Sequence, residues 1–128
     1  MNDENIASRI PIKVTPYEHQ KKAFAFACDK FGMSDERPKS RGTALLMEMG
    51  TGKTLVSIAI AGTMYRSGRI RRLLIVAPLS ILGVWEEEFA KFAAFPYSLT
   101  VLQGTVAKKK EQLAKLPDRG LQGVVVNY

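Results

Sequence analysis

Cysteine is nearly missing from this chain: Cys28 is the single copy in 128 residues. No disulfide framework and no cysteine-built zinc site can form. Histidine is as scarce, with His19 alone. No partner motif accompanies His19, so no catalytic or metal role follows from it. Long hydrophobic runs are absent too. The apolar stretches break at charge or glycine, well short of the ~18 residues a membrane helix needs. The start, Met1-Asn2-Asp3-Glu4-Asn5, is polar and acidic and has no signal-peptide pattern. These absences lead to the expectation of an intracellular, cytoplasmic protein with no membrane association. Acid is in short supply: 12 Asp and Glu stand against 19 Lys and Arg, a formal charge of +7. That excess favours an anionic partner such as nucleic acid. A domain cut away from compensating acids would show the same sign.

What is present begins with apolar residues, 46% of the chain, enough for one core and one domain. The organising stretch is Met47-Glu48-Met49-Gly50-Thr51-Gly52-Lys53-Thr54. It follows the apolar run Thr43-Ala44-Leu45-Leu46 and opens into Leu55-Val56-Ser57-Ile58-Ala59-Ile60-Ala61. Strand, glycine loop, helix is the context a phosphate-binding loop requires. Gly50 and Gly52 lack a Cβ, so backbone N–H groups can approach phosphate oxygens closely. A helix beginning near Lys53 adds unpaired N–H groups and the positive end of its dipole. Lys53 supplies a point charge for the terminal phosphates. The Thr54 hydroxyl is a hard oxygen ligand of the kind Mg²⁺ prefers. Met47 occupies the position where the strict G-x-x-x-x-G-K-[ST] pattern has glycine.

Along the chain, residues 1–14 read as a polar tail, with Ile10-Pro11-Ile12-Lys13-Val14 as a short extended segment. Thr15-Pro16-Tyr17-Glu18 predicts a helix start, with Thr15 as cap, Pro16 at the first position and Glu18 closing a capping box. Tyr17, Phe24, Ala27, Cys28 and Phe31 keep helical spacing, and Gly32 ends the helix as a left-handed residue. Gln20 lies on this helix. Its carboxamide can pair with the N6/N7 edge of adenine, although a solvated helix residue fits the local sequence as well. Residues 33–42 are a polar loop. The helix after the phosphate loop runs to about Tyr65. Arg66, Arg69, Arg71 and Arg72 then form a basic turn, either a solvated connection or a phosphate contact.

Leu73-Leu74-Ile75-Val76-Ala77 predicts a strand buried on both faces, stopped by Pro78. Ser80 then caps a helix with Ile81, Trp85, Phe89 and Phe92 on its apolar side, Trp85 in the core. Residues 99–102 form a strand ended by Gln103-Gly104. Thr105 caps a helix to Leu116 with Lys108, Lys109 and Lys110 facing water. Residues 123–126 form a last strand. Alternating strands and helices predict an α/β fold, a parallel sheet flanked by helices on both faces with right-handed crossovers. Ligands then bind outside the carboxyl ends of the strands. Gly50, Pro78 and Gly104 each follow such an end, so one rim is the expected functional face.

Four stretches in order resemble the first RecA-like lobe of a superfamily-two helicase, most of all a Swi/Snf-type DNA translocase. Pro16-Tyr17-Glu18-His19-Gln20-Lys21-Lys22-Ala23 is similar to the family's glutamine-containing adenine motif. Glu48 to Thr54 is similar to its phosphate loop. Leu74-Ile75-Val76-Ala77-Pro78-Leu79-Ser80, with Trp85, Glu88 and Phe89 beyond, is similar to its next motif. Val101 to Gly104 and Val124 to Tyr128 are similar to the segments that follow.

The likeness spans residues 15–128 and implies a partial RecA-like domain of the P-loop NTPase class. It implies ATP and Mg²⁺ as cofactors, Gln20, Met49, Gly50, Thr51, Gly52, Lys53 and Thr54 as nucleotide-binding residues, and Lys53 and Thr54 as catalytic, with Thr54 the metal ligand. It also implies DNA, double-stranded by preference, as partner, with Pro78, Ser80 and Gly104 near its backbone.

One part of the family pattern is missing. No Asp-Glu pair follows any apolar strand, so the Walker B acid that holds Mg²⁺ and orients water has no counterpart. The expectation is a fragment cut before that acid and before a second RecA-like lobe, unable to hydrolyse ATP alone. Short spacing between motifs points to a bacterial or phage source. Three other readings stay open: a restriction-type motor, a nucleotide-binding interaction module without catalysis, and a small-molecule kinase, which Met47 and the Ala77–Ser80 stretch oppose.

Overall fold

The computed structural model describes residues 10–32 and 53–127, Lys53 by its backbone alone. The expected strand at 43–47 and the loop residues Met49, Gly50, Thr51 and Gly52 lie outside the described residues.

Four helices and three strands are described: α1 Glu18–Lys30, α2 Lys53–Arg66, β1 Arg72–Ala77, α3 Leu82–Phe92, β2 Tyr97–Val101, α4 Val106–Ala114 and β3 Leu121–Asn127. The strands form one sheet in the order β1-β3-β2. Both pairings are parallel, with Ile75 beside Val125 and Thr100 beside Val124. This is the expected α/β architecture. Parallel pairing forces each connection to cross from one end of the sheet to the other, and α3 and α4 do so.

The main core joins α2, α3 and the sheet through Ile58, Phe89, Phe95, Leu121 and Val125. Phe89 meets Phe95 edge-on at 6.3 Å and Tyr97 tilted at 5.0 Å between centroids. Burying each such large side chain contributes ~1.5–3 kcal/mol. Trp85 packs half-buried against this core, as expected. A second cluster, Phe24, Cys28, Val56 and Ala59, joins α1 to α2. Residues 10–13 are pinned beside the end of α3: Ile12 bridges Ala93 antiparallel, and the Lys13 N–H donates to Phe92 O at 2.8 Å.

Four expectations need correction. The α1 helix begins at Glu18 with Tyr17 as its N-cap, not Thr15. Gln20 causes the shift, because its Oε1 accepts the Tyr17 N–H at 2.8 Å. The side chain three residues into the helix thus reaches back to the cap. Tyr17 is 73% exposed and takes no part in the core. Ser80 caps no helix: a 3₁₀ turn, Leu79–Ile81, precedes α3, and the Ile81 N–H donates to Pro78 O at 3.1 Å. Ile81, assigned to the apolar side, is exposed, while its neighbour Leu82 is buried. Finally, β1 is buried on one face only. Ile75 and Ala77 point into the core, while Leu74 and Val76 are 64% and 55% exposed. Among the described residues no helix covers that second face at β1.

Candidate functional site

Two helices set the geometry. The Arg69 guanidinium, three residues beyond the end of α2, donates to Phe31 O and Gly32 O, each at 2.8 Å, just past the end of α1. The carboxyl ends of α1 and α2 are therefore adjacent. The helices have 13 and 14 residues, about 20 Å each at 1.5 Å per residue, and they share the Phe24–Val56 cluster. They run side by side in the same direction, so their amino ends also lie together. Gln20 sits one turn before Phe24, and Lys53 and Thr54 sit within a turn of Val56. The backbone thus brings Gln20 and the start of α2 to one end of the molecule.

That end is the carboxyl rim of the sheet. The α2 helix descends to the turn at Ser67–Arg71 and feeds the amino end of β1, so its own amino end rises beside the carboxyl end of β1. Pro78 leaves the top of β1 and Gly104 follows the top of β2. With β3 between them, the two turns stand about 10 Å apart at the usual strand spacing. Lys53, Thr54, Gln20, Pro78, Ser80 and Gly104 are therefore on one side of the fold, whereas Met49 to Gly52 lie outside the described residues.

Local chemistry on this rim is specific. The first turn of α2 carries no acidic residue, which suits an anion at the N–H groups of a helix start. Gln20 is 6% exposed, fixed by its bond to the Tyr17 N–H. Tyr17 stacks on His19 with centroids 5.8 Å apart and planes inclined by 16°. Sequence reasoning grouped Tyr17 with the helix's apolar positions and did not single out this exposed aromatic face beside Gln20. Ser80 is exposed in its 3₁₀ turn. Gly104 has φ +95°, a backbone conformation that disfavours a side chain. Thr105 caps α4 as expected, accepting the Lys108 N–H at 3.2 Å. Lys108 and Lys110 are exposed in the first turns of that helix.

The basic turn at the other end has different work. Arg69 caps α1, Arg66 donates to Ala94 O, and Arg72 donates to Gln122 Oε1 at 2.9 Å. Three of its four arginines are committed to the protein. Cys28 lies buried beneath them, and burial pushes its thiol up to about 11, against a smaller opposing pull from Arg69.

The chain matches the SNF2-related domain over residues 18–126. It belongs to that family. The match takes in α1, the start of α2 and both rim turns. Among solved structures, a Sulfolobus solfataricus SWI2/SNF2 ATPase core in complex with double-stranded DNA superposes with a TM-score of 0.70 at 28% identity, covering 92% of this chain and 22% of that one. The mouse DNA excision repair protein ERCC-6-like is 28% identical over 110 residues, covering 86% of this chain. The Arabidopsis thaliana CHD3-type chromatin-remodeling factor PICKLE is 44% identical over 55 residues, 43% of this chain. The chain spans 8% and 4% of the length of these two relatives. None of the three comes from a bacterium or a phage, so they lend no support to the bacterial or phage source expected from spacing. No helix among the described residues is long and apolar enough to cross a membrane.

Proposed function

We propose that this chain is the nucleotide-binding part of an ATP-driven, double-stranded-DNA translocase of the Swi/Snf type, acting with a second RecA-like lobe. The observation that carries the reading is the gathering of Gln20, the start of α2 and the Pro78 and Gly104 turns on one rim, in a chain that matches the family over residues 18–126.

The residues present fit a nucleotide. The acid-free first turn of α2 suits a polyphosphate, with Gly50, Thr51 and Gly52 bringing backbone N–H groups and Met49 leading into the loop. Lys53 neutralises the terminal phosphates. Gln20 selects adenine: the Tyr17 N–H donates to its Oε1, which fixes the carboxamide plane, and a carboxamide carries the donor and acceptor that match the purine edge. The exposed Tyr17 ring offers a flat face to the base. Among the described residues no group of three or more His, Cys, Asp or Glu is placed to hold a metal. The Thr54 hydroxyl would be the protein's ligand to a Mg²⁺ ion, a hard cation that prefers oxygen. Bound there, the ion supplies charge neutralisation on the phosphates.

The DNA side uses Pro78, Ser80 and Gly104. Ser80 offers a hydroxyl and Gly104 a close backbone approach, both of which suit phosphate oxygens. The Sulfolobus structure is a complex with double-stranded DNA, which supports a duplex partner. These motifs bind and position the nucleotide, and no Asp-Glu pair among them orients the attacking water. The test is Lys53→Ala in the full-length protein: ATP turnover is lost, and turnover near wild type rejects the assignment.

A further inference from the structure

The α4 helix buries no residue. Its apolar side chains Val106 and Leu113 are 70% and 46% exposed, so packing does not fix its position. A polar clasp does. The Gln103 N–H donates to Gln112 Oε1 at 3.3 Å, and Gln112 Nε2 donates to Val101 O at 3.4 Å. Val101 closes β2, one of the two outer strands of the described sheet, and Gln103 follows two residues later. Between them, the Leu102 N–H turns inward to Val125 O at 2.8 Å. The Gln112 carboxamide thus takes the outward donor and acceptor as a neighbouring peptide group would.

The clasp closes over the Gly104 turn. Gly104 is held at φ +95°, and a Cβ there would stand 3.0 Å from Lys108 Cδ. The Thr105 cap fixes the turn on its helix side, and Gln112 fixes it on its strand side. Gln112 also lines a cavity of about 450 Å³ whose other wall is Leu82, Gly83 and Glu86 at the start of α3. The clasp therefore stands between the two rim turns assigned to DNA. Glu86 puts a carboxylate on the same cavity wall, which does not favour phosphate there.

We propose that Gln112 is a positioning residue for DNA binding: it clasps Val101 and Gln103 and so presents the Gly104 turn to the DNA backbone. This rests on the reading of the rim as a DNA surface.

The test uses the full-length protein and a fluorescent DNA duplex, titrated across a range of salt, with Gln112→Ala and the near-isosteric Gln112→Met. Both variants are expected to bind DNA about fivefold more weakly and to bind ATP as the wild type does. The salt slope should be flatter by about 1 for each phosphate that the displaced turn no longer reaches. Hydrogen exchange supplies a second readout, the Gln103 amide exchanging about tenfold faster in the variants. Wild-type DNA affinity and slope in both variants overturn the inference. So does equal loss of DNA and ATP binding, which marks general unfolding. A Gln103 amide unprotected in the wild type overturns it with no variant needed. If the wild type itself binds no duplex, the DNA reading of the rim fails first, and the inference falls with it.

Discussion

Arg69 holds Gly32. Its Nη2 donates to Gly32 O at 2.8 Å while Nη1 donates to Phe31 O at the same distance, and Gly32 sits at φ 72°. A half-buried cation thus closes the carboxyl end of α1, where the helix dipole is negative. The fork couples the helix carrying Gln20 to the turn that feeds β1. Hydrogen bonds from a charged donor are worth about 1.5–3 kcal/mol each. Arg69→Ala, which removes both bonds, is expected to destabilise the fold by about 3 kcal/mol in chemical denaturation. Arg69→Lys restores little, because an ammonium cannot span two carbonyls in a plane. A Lys variant as stable as wild type contradicts the forked role.

Gly62 lies inside α2, where alanine ordinarily stabilises a helix by about 1 kcal/mol. Here a Cβ would meet the Phe95 ring and stand 2.8 Å from Pro11 Cγ. Gly62→Ala is therefore expected to destabilise by about 1–3 kcal/mol, the cost of overpacking a filled core. Thermal unfolding gives the sign directly. A stabilised variant means that α2 and Phe95 are further apart than described.

Phe89 is wholly buried and touches both Phe95 and Tyr97. Phe89→Ala is expected to cost about 3–5 kcal/mol. Trp85→Ala should cost less, since Trp85 is only half-buried against the same core. Denaturant midpoints for the two variants rank them, and the reverse order contradicts the packing.

Cys28 predicts a pH effect. Its thiol is raised from the ordinary 9.0 to about 11 by burial. The folded state then holds the proton more tightly than the unfolded state, so this contribution is complete below pH 9 and is lost as pH rises through 11. The stability difference between wild type and Cys28→Ala is expected to shift against the wild type across that window. The native thiol should also resist alkylation at pH 8. Rapid labelling of the folded protein, or a pH-independent difference, contradicts the burial.

Much of this was legible in the residues, for identifiable reasons. Gly32 and Thr105 are local signals, a left-handed stop and a hydroxyl cap, and both act as the sequence indicates. The alternation of apolar runs and amphipathic stretches pointed to the three parallel strands, with β2 and β3 each two residues longer at the start than their apolar runs. The misreadings came from competing signals. Thr15-Pro16-Tyr17-Glu18 has the form of a capping box, but so does Tyr17 to Gln20, and the second wins because Gln20 reaches the Tyr17 N–H. Leu74 and Val76 read as buried because an apolar run does not say which face a helix covers. On the candidate site, residue types and their order along the chain were informative. The shared direction of α1 and α2 was not, because it depends on Arg69 reaching across 37 positions. Gln112 left no signal at all: a glutamine on a lysine-rich helix looks like solvent-facing surface.

The central claim is an ATP-driven motor engaged with duplex DNA through the strand-end rim. Steady-state ATP turnover by the full-length protein, with and without double-stranded DNA, tests it most directly. The account predicts turnover that rises at least about tenfold with duplex, a barrier lowered by about 1.4 kcal/mol or more, and that disappears in Lys53→Ala with or without DNA. Turnover indifferent to DNA, or surviving the loss of Lys53, would contradict it.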